Sequence, residues 1–167
     1  MNSSTEIVTH NIWSMLEEVM DPEVPVLSVI DLGIVRDIHL YNDEVEVLIT
    51  PTYSGCPAMD MITMSIKMVL LSNGYKSVKV TPVLFPSWTT DWMTEKGKEK
   101  LKDYGIAPPN IKQQVCKPDL FAADEAVQCP RCNSWHTRRI SEFGSTACKA
   151  LYQCDDCREP FDYFKCH

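Results

Sequence analysis

The stretch that decides the fold covers residues 50–58 and reads Thr50-Pro51-Thr52-Tyr53-Ser54-Gly55-Cys56-Pro57-Ala58. An apolar β-branched run from Val45 to Ile49 precedes it, and a long apolar helical pattern from Met59 to Leu71 follows it. Because proline is favoured at the first helical position, Pro57 predicts a helix that begins directly after Cys56. The stretch is therefore the turn of a strand-turn-helix unit.

The cysteine of this turn occupies the predicted N-cap of the helix. A sulfur at that position faces free N–H groups and the positive end of the helix dipole, which both favour the thiolate. The sequence therefore predicts that the pKa of Cys56 is lowered and that its thiol reacts with metals and electrophiles. The alternative is that Cys56 is a small buried apolar residue.

The segments on either side predict an α/β domain with a small three-stranded mixed sheet and helices. Apolar periodicity predicts a helix over residues 3–20 and a hairpin of strands over 34–40 and 44–50. A third strand around Val78 and Val80 would be parallel to the second, because a helix connects them. That helix carries few charges, so we expect it to be buried rather than surface-packed. Residues 95–104 predict a polar helix.

Parallel strands two and three would end at the same edge of the sheet, where α/β proteins bind ligands. Cys56 follows strand two, and a segment rich in aromatic and hydroxyl side chains, residues 85–94, follows strand three. We therefore expect Cys56 to share a surface with residues 88–92, although both tryptophans there also suit a core. Thr52 and Asp91 are the residues that we assign to this candidate site beside Cys56.

The C-terminal region carries two C-x-x-C knuckles separated by 21 residues, with the cysteines Cys129, Cys132, Cys154 and Cys157. Four thiolates at this spacing predict one structural zinc in a β ribbon, although iron would also accept them. Such a site has no open coordination position, so it is structural rather than catalytic. Substitute ligands remain open at Cys148, Cys166, His136 and His167, and Cys116 has no partner spacing. The predicted division is a domain over residues 1–105, a linker over 106–128 and a zinc ribbon over 129–167.

Composition narrows the functional classes. Residues 1–128 carry 10 basic and 18 acidic side chains, a net charge of −8, which disfavours binding to phosphate backbones. No apolar run is long enough to span a membrane, and the N-terminus has no secretory signal pattern. We therefore expect a cytoplasmic protein whose eight cysteines serve as thiols and metal ligands rather than disulfides.

Three blocks of sequence, residues 21–35, 50–57 and 86–93, together resemble the SufT-like (MIP-type) iron–sulfur assembly domain. The ribbon, with residues 141–152 and the ending 159–167, resembles the PaaD family of phenylacetyl-CoA epoxidase components, which joins the two domains in this order. The resemblance implies a maturation factor in aerobic phenylacetate breakdown, with the epoxidase reductase or oxygenase subunits as partners. It also implies that Cys56 is the reactive cysteine of the family. Our leading hypothesis is a non-enzymatic assembly factor in which Cys56 would hold iron or an iron–sulfur cluster transiently.

Other functions remain open from the sequence. One thiolate cannot ligate a [2Fe–2S] cluster alone, so a homodimer, a small thiol or the client must supply further ligands. The sequence is also compatible with a working accessory subunit of the oxygenase, or with a thiol enzyme that uses Cys56 as nucleophile and His39 as base. A zinc-ribbon adaptor for nucleic acid would rely on Arg131, Arg138 and Arg139.

Overall fold

The structure, a computed structural model, describes residues 3–41, 44–53, 55–109 and 126–165. Its chain divides into two compact units. The first unit contains residues 1–88 and 92–94, and the second contains residues 89–91 and 95–167. None of the helices within these described residues is long and apolar enough to cross a membrane.

The first unit is built on a three-stranded mixed sheet of β1 (Val35–Tyr41), β2 (Glu44–Ile49) and β3 (Ser77–Pro82). β1 pairs with β2 in the antiparallel direction, and β2 pairs with β3 in the parallel direction. Val45, Val47 and Ile49 of β2 are buried while Glu44 is exposed, as the alternating pattern predicted. The mixed α/β fold inferred from the sequence is therefore confirmed.

Two helices, α1 (Ser3–Leu16) and α2 (Ala58–Ser72), belong to the same unit as this sheet. α1 ends four residues before the predicted boundary, because the chain tightens into shorter turns in which Glu18 N–H and Val19 N–H donate to carbonyls three residues earlier. α2 buries only one face, formed by Ala58, Ile62, Ile66 and Leu70. The expectation that α2 is buried rather than surface-packed is wrong, since its other side is exposed.

The second unit contains α3 (Glu95–Tyr104) and a four-stranded sheet in the order β4-β7-β6-β5. These strands are β4 (Ile106–Ala107), β5 (Thr137–Ser141), β6 (Lys149–Cys154) and β7 (Pro160–Phe164). β5-β6 and β6-β7 are antiparallel, and β4 joins β7 in parallel. Part of the predicted linker thus contributes a strand, while residues 110–125, including Cys116, lie outside the described residues.

A small aromatic core supports the sheet of the second unit. The Tyr152 ring stacks on Phe161 at 5.9 Å between centroids and meets Tyr163 edge-on at 5.5 Å. The sequence interpretation missed β7, although its aromatic-rich run Phe161-Asp162-Tyr163-Phe164 favours a strand.

Candidate functional site

The four knuckle cysteines come together in the second unit. Their sulfur atoms all lie within 4.8 Å of one another, with Cys129 Sγ 3.8 Å from Cys157 Sγ and Cys132 Sγ 3.5 Å from Cys154 Sγ. A zinc ion about 2.3 Å from four tetrahedral sulfurs would separate neighbouring sulfurs by about 3.8 Å. The donor set and its spacing therefore fit one tetrahedral metal ion.

Backbone N–H groups point at these sulfurs from inside each knuckle. The N–H groups of Cys157 and Asp156 lower the pKa of Cys154 to about 7, and the neighbouring thiols assist. The pKa of Cys132 is raised to about 12: the Ser134 N–H favours its thiolate, but burial and the neighbouring sulfurs outweigh that effect. Four thiols this close cannot all lose their protons unless a cation offsets the repulsion between the thiolates. A bound metal ion would supply that positive charge.

A polar link outside the sulfurs joins the two knuckles. Ser134 Oγ donates to Asp156 Oδ2 at 2.5 Å, and His136 Nδ1 lies 3.3 Å from Asp156 Oδ1. Hydrogen bonds from Ser134 and His136 lower the pKa of Asp156, so this carboxylate is charged at neutral pH. His136 therefore supports the ligand loops, and sequence spacing had suggested it only as a substitute ligand.

Cys56 lies in the first unit, in the loop between β2 and α2, and is half-buried. The N-cap is Pro57 rather than Cys56, one residue later than predicted. The sulfur nevertheless accepts the Ala58 N–H, and the Cys56 carbonyl accepts the Met59 N–H at 3.3 Å. Gly55 has φ +80°, a left-handed conformation that glycine adopts without strain.

The surroundings of this thiol oppose its ionisation. Burial raises the pKa of Cys56, and the negative charges of Glu23 and Asp21 raise it further. Hydrogen bonds from the Ala58 N–H and the Tyr53 side chain lower the pKa but do not outweigh burial. The direction of the pKa shift is opposite to the sequence prediction, because burial of the thiol outweighs the hydrogen bonds to its sulfur, and the charges of Glu23 and Asp21 add to the effect of burial.

We expect the pH midpoint for alkylation of Cys56 in the zinc-loaded protein to lie above the ordinary thiol value of about 8.5. Glu23→Gln should lower this midpoint, since it removes a negative charge that raises the pKa. Mass spectrometry of the Cys56 peptide after timed alkylation gives the measurement, with Glu44→Gln, at an exposed position of β2, as the control. A wild-type midpoint below about 8.5 would contradict the assigned environment.

Thr50 begins the loop that carries Cys56 and holds an unsatisfied hydroxyl. It is 2% exposed, and its Oγ1 is the one buried side-chain nitrogen or oxygen without a hydrogen-bond partner in the described part of the chain. Its backbone is held by the Thr50 N–H donating to the Ile34 carbonyl at 2.8 Å. A buried hydroxyl without a partner costs about 1–3 kcal/mol.

Thr50→Val should therefore raise the free energy of unfolding by about 1 kcal/mol, because valine keeps the shape and removes the unsatisfied group. Thr81→Val is the matched control, since the Thr81 hydroxyl donates to Glu46 Oε1 at 2.6 Å and its loss should destabilise the protein. Urea unfolding of both variants gives the comparison. Destabilisation by Thr50→Val would show that its hydroxyl has a partner.

A clamp within the first unit fixes the segment that follows β3. Asp31 Oδ1 accepts the Thr94 hydroxyl at 3.2 Å, and the Asp31 carbonyl accepts the Thr94 N–H at 2.9 Å. Trp88 Nε1 donates to the Leu32 carbonyl at 2.9 Å, and Gly33 packs directly against the Trp92 backbone. Trp88, 3% exposed, is therefore a core residue rather than part of an open surface.

The remaining candidates have separate places. Thr52 is half-buried in the Cys56 loop, while exposed Asp91 lies in the short 3-10 helix Thr90–Trp92 and groups with the second unit. His39 lies opposite Glu46 in mid-strand, with Nε2 3.7 Å from Asp37 Oδ2, so it is not at the loop that carries Cys56.

Cys148 is buried, with its sulfur 3.0 Å from Thr146 Oγ1, and stands outside the four-sulfur group. Cys166 and His167 lie outside the described residues.

Similarity to known proteins agrees with this arrangement. Residues 113–165 match the PaaD zinc beta ribbon domain, and residues 9–81 match the iron–sulfur cluster assembly protein family. An Escherichia coli (strain K12) protein, provisionally named as the D component of 1,2-phenylacetyl-CoA epoxidase, is 51% identical over 94% of this chain and 92% of its own length. The chain belongs to the PaaD family. The zinc ribbon and the assembly domain inferred from the sequence are thereby confirmed.

Two further matches concern the first unit of this PaaD-family chain. A Porphyromonas gingivalis protein named Fe-S protein maturation auxiliary factor is 36% identical over 60% of this chain and 97% of its own length. The crystal structure of a domain of unknown function from Bacillus anthracis has 29% identity and a TM-score of 0.56, and covers 60% of this chain and 97% of that one. Domains of this kind therefore also exist without the ribbon.

Proposed function

We propose that this protein is a maturation factor for the metal centres of a phenylacetyl-CoA epoxidase and takes no part in turnover. The observation that carries the proposal is the pairing of a closed four-sulfur site with the half-buried thiol of Cys56 in the loop between β2 and α2. The closed site suits a structural zinc held by Cys129, Cys132, Cys154 and Cys157. Cys56 is then the group that receives iron or a cluster as cargo.

The environment of Cys56 suits a transient carrier. A thiol must lose its proton to bind a metal, so a raised pKa weakens retention at neutral pH. The carboxylates of Asp21 and Glu23, whose charges act on this sulfur, attract the cation of the cargo at the same time. The carboxylates would thus favour uptake of the iron or cluster, and the raised pKa of Cys56 would favour its release. Free thiols of this kind persist in reducing compartments, so the proposal includes a cytoplasmic location.

The names of the relatives support this assignment. The Porphyromonas gingivalis relative of the first unit is named as an Fe-S protein maturation auxiliary factor. The Escherichia coli relative of nearly the whole chain is named as a component of the epoxidase. We infer that the epoxidase reductase or oxygenase chains are the clients. The second name also motivates the alternative that the protein is a working accessory subunit.

The other two functions have less support. A thiol enzyme needs a base beside Cys56, and His39 pairs with Asp37 in mid-strand instead. A nucleic-acid adaptor needs free arginines, whereas Arg138 Nε lies 3.2 Å from Asp155 Oδ1 and Arg139 Nη1 lies 2.6 Å from Glu142 Oε2. These ion pairs reduce the positive potential that phosphate binding requires.

The deciding experiment compares epoxidase matured in cells with the wild-type protein, with Cys56→Ala and with none. We expect iron- or cluster-deficient epoxidase chains in the last two cases, measured by iron and acid-labile sulfide. Cys148→Ala is the matched control, since Cys148 is a buried thiol outside the four-sulfur group. Epoxidase that has already been matured should turn over in a purified assay without this protein. A requirement for stoichiometric protein at every turnover would establish the accessory-subunit alternative.

A further inference from the structure

Helix α2 leaves a second apolar face exposed. Met61, Met64 and Met68 are 62%, 65% and 64% exposed, and Leu71 is 48% exposed. Their spacing of three, four and three residues places all four on one side of the helix. This side, called here the methionine stripe, is distinct from the buried face of α2.

The composition of the stripe is typical of a binding surface. Single exposed apolar residues are ordinary, whereas a contiguous row of them indicates an interaction site. Methionine side chains are flexible and polarizable, so they adapt to apolar partners of different shape. The stripe begins at Met61, in the first turn of α2 and five residues after Cys56.

A second copy of this chain fits the stripe poorly. A patch of this kind offers about 300–600 Å², so self-pairing would bury about 600–1,200 Å² in total, against roughly 1,200–2,000 Å² for a stable specific interface. A two-fold antiparallel pairing that sets Met64 against Met68 would also bring the two copies of exposed Lys67 side by side. The stripe therefore suits a smaller, transient contact with another protein.

The negative charge of the first unit indicates which charges the partner should carry. Residues 1–88 carry 11 acidic and 4 basic side chains, a net charge of −7. Exposed Asp60 precedes the stripe in the first turn of α2, and the carboxylates of Asp21 and Glu23 are close enough to Cys56 to act on its titration. The end of the stripe nearest Cys56 is thus acidic, and it would attract a partner with basic residues at that end.

We propose that the methionine stripe docks an amphipathic helix of the client protein, with basic residues of that helix at the end nearest Asp60. This inference rests on the proposed function, because the docked segment belongs to the protein that receives the cargo. An apolar helix lying along α2 would bring the client chain to the loop that carries Cys56. Docking on the stripe would keep the client protein close to Cys56 while iron or a cluster, weakly held by the thiol, passes to it.

The test uses the full chain and a labelled amphipathic peptide of about 18 residues, long enough to form a helix. Its apolar face is leucine, and its polar face is lysine in one version and glutamate in the other. Fluorescence anisotropy at about 0.15 M ionic strength should show the lysine peptide binding roughly tenfold more tightly than the glutamate peptide. Equal binding of both peptides would overturn the charge assignment and with it the proposal.

Variants separate apolar docking from general attraction to an acidic protein. Met61→Gln, Met64→Gln and Met68→Gln combined keep every charge and should weaken the lysine peptide by about tenfold or more. The three corresponding Met→Leu changes keep the stripe apolar and should preserve binding, which would show that binding depends on the apolar character of these positions. Trp135→Gln, Ile140→Gln and Phe143→Gln, which alter exposed ribbon residues, are the matched control and should change nothing. Undiminished binding in the methionine-to-glutamine variant would refute docking on the stripe.

Two further measurements keep this inference separate from the maturation proposal. Cys56→Ala should bind the lysine peptide as tightly as the wild type, since docking does not use the thiol. The methionine-to-glutamine variant is also tested for the iron content of the epoxidase chains matured with it. If this variant no longer binds the peptide but the epoxidase chains keep their iron, the docking inference alone is overturned. Light scattering that shows a wild-type dimer, dissociated by the methionine-to-glutamine changes, would assign the stripe to a second copy and refute the client helix.

Discussion

We expect Cys132→Ser to abolish zinc binding at the four-cysteine site and to disrupt the fold of the ribbon. Three remaining thiolates do not complete the tetrahedral site, and structural zinc in small domains contributes about 10–16 kcal/mol of apparent binding free energy at neutral pH. We expect zinc content to fall from one ion per chain to near zero. Hydrogen exchange should show lost protection in β5 and β6, while β2 and α2 of the first unit keep theirs.

Cys148→Ser is the control for this result. Cys148 is buried in the same unit but lies outside the four-sulfur group, so its replacement should leave the zinc content unchanged. The two variants thus separate loss of a ligand from loss of a buried thiol. Full zinc occupancy in Cys132→Ser would contradict the ligand assignment.

Gly33→Ala will destabilise the first unit by roughly 2–5 kcal/mol, a large share of an ordinary folding free energy. Gly33 has φ +66°, which costs a residue with a side chain about 1–2 kcal/mol. A Cβ on Gly33 would also overlap the carbonyl oxygen of Trp92, so the clamped segment would have to move. Urea unfolding monitored by circular dichroism gives the measurement.

Gly74→Ala separates the two causes. Gly74 has φ +95°, but a Cβ there meets no atom within 4 Å, so only the backbone cost applies. We expect this control to lose about 1–2 kcal/mol. Equal losses in the two variants would mean that Gly33 does not press against Trp92.

The sequence predicted best those features that depend on neighbouring residues in the chain. Two C-x-x-C knuckles bring four cysteines together through local turns, so their spacing alone indicated the four-sulfur site. The strand-turn-helix order around Cys56 likewise predicted that the third strand is parallel to the second, and hence that the sheet is mixed. Both inferences needed only proline, glycine and cysteine positions and the apolar periodicity.

Features that depend on distant segments could not be predicted in this way. The direction of the Cys56 pKa follows from burial and from Glu23 and Asp21, which the fold brings to a helix N-terminus that follows much later in the chain. α2 is apolar on two faces, and hydrophobicity does not show which face the sheet covers. Only the packed structure distinguishes Ile62 and Ile66, which are buried, from Met64 and Met68.

The clamp on residues 92–94 has a practical consequence for dividing the protein into fragments. Trp92 and Thr94 complete the first unit, although residues 89–91, directly before them in the chain, group with the second unit. A fragment that stops at Trp88 would leave Gly33 and Asp31 without the chain that covers them. The shortest self-sufficient version of the assembly domain therefore extends through Thr94, beyond the last strand of its sheet.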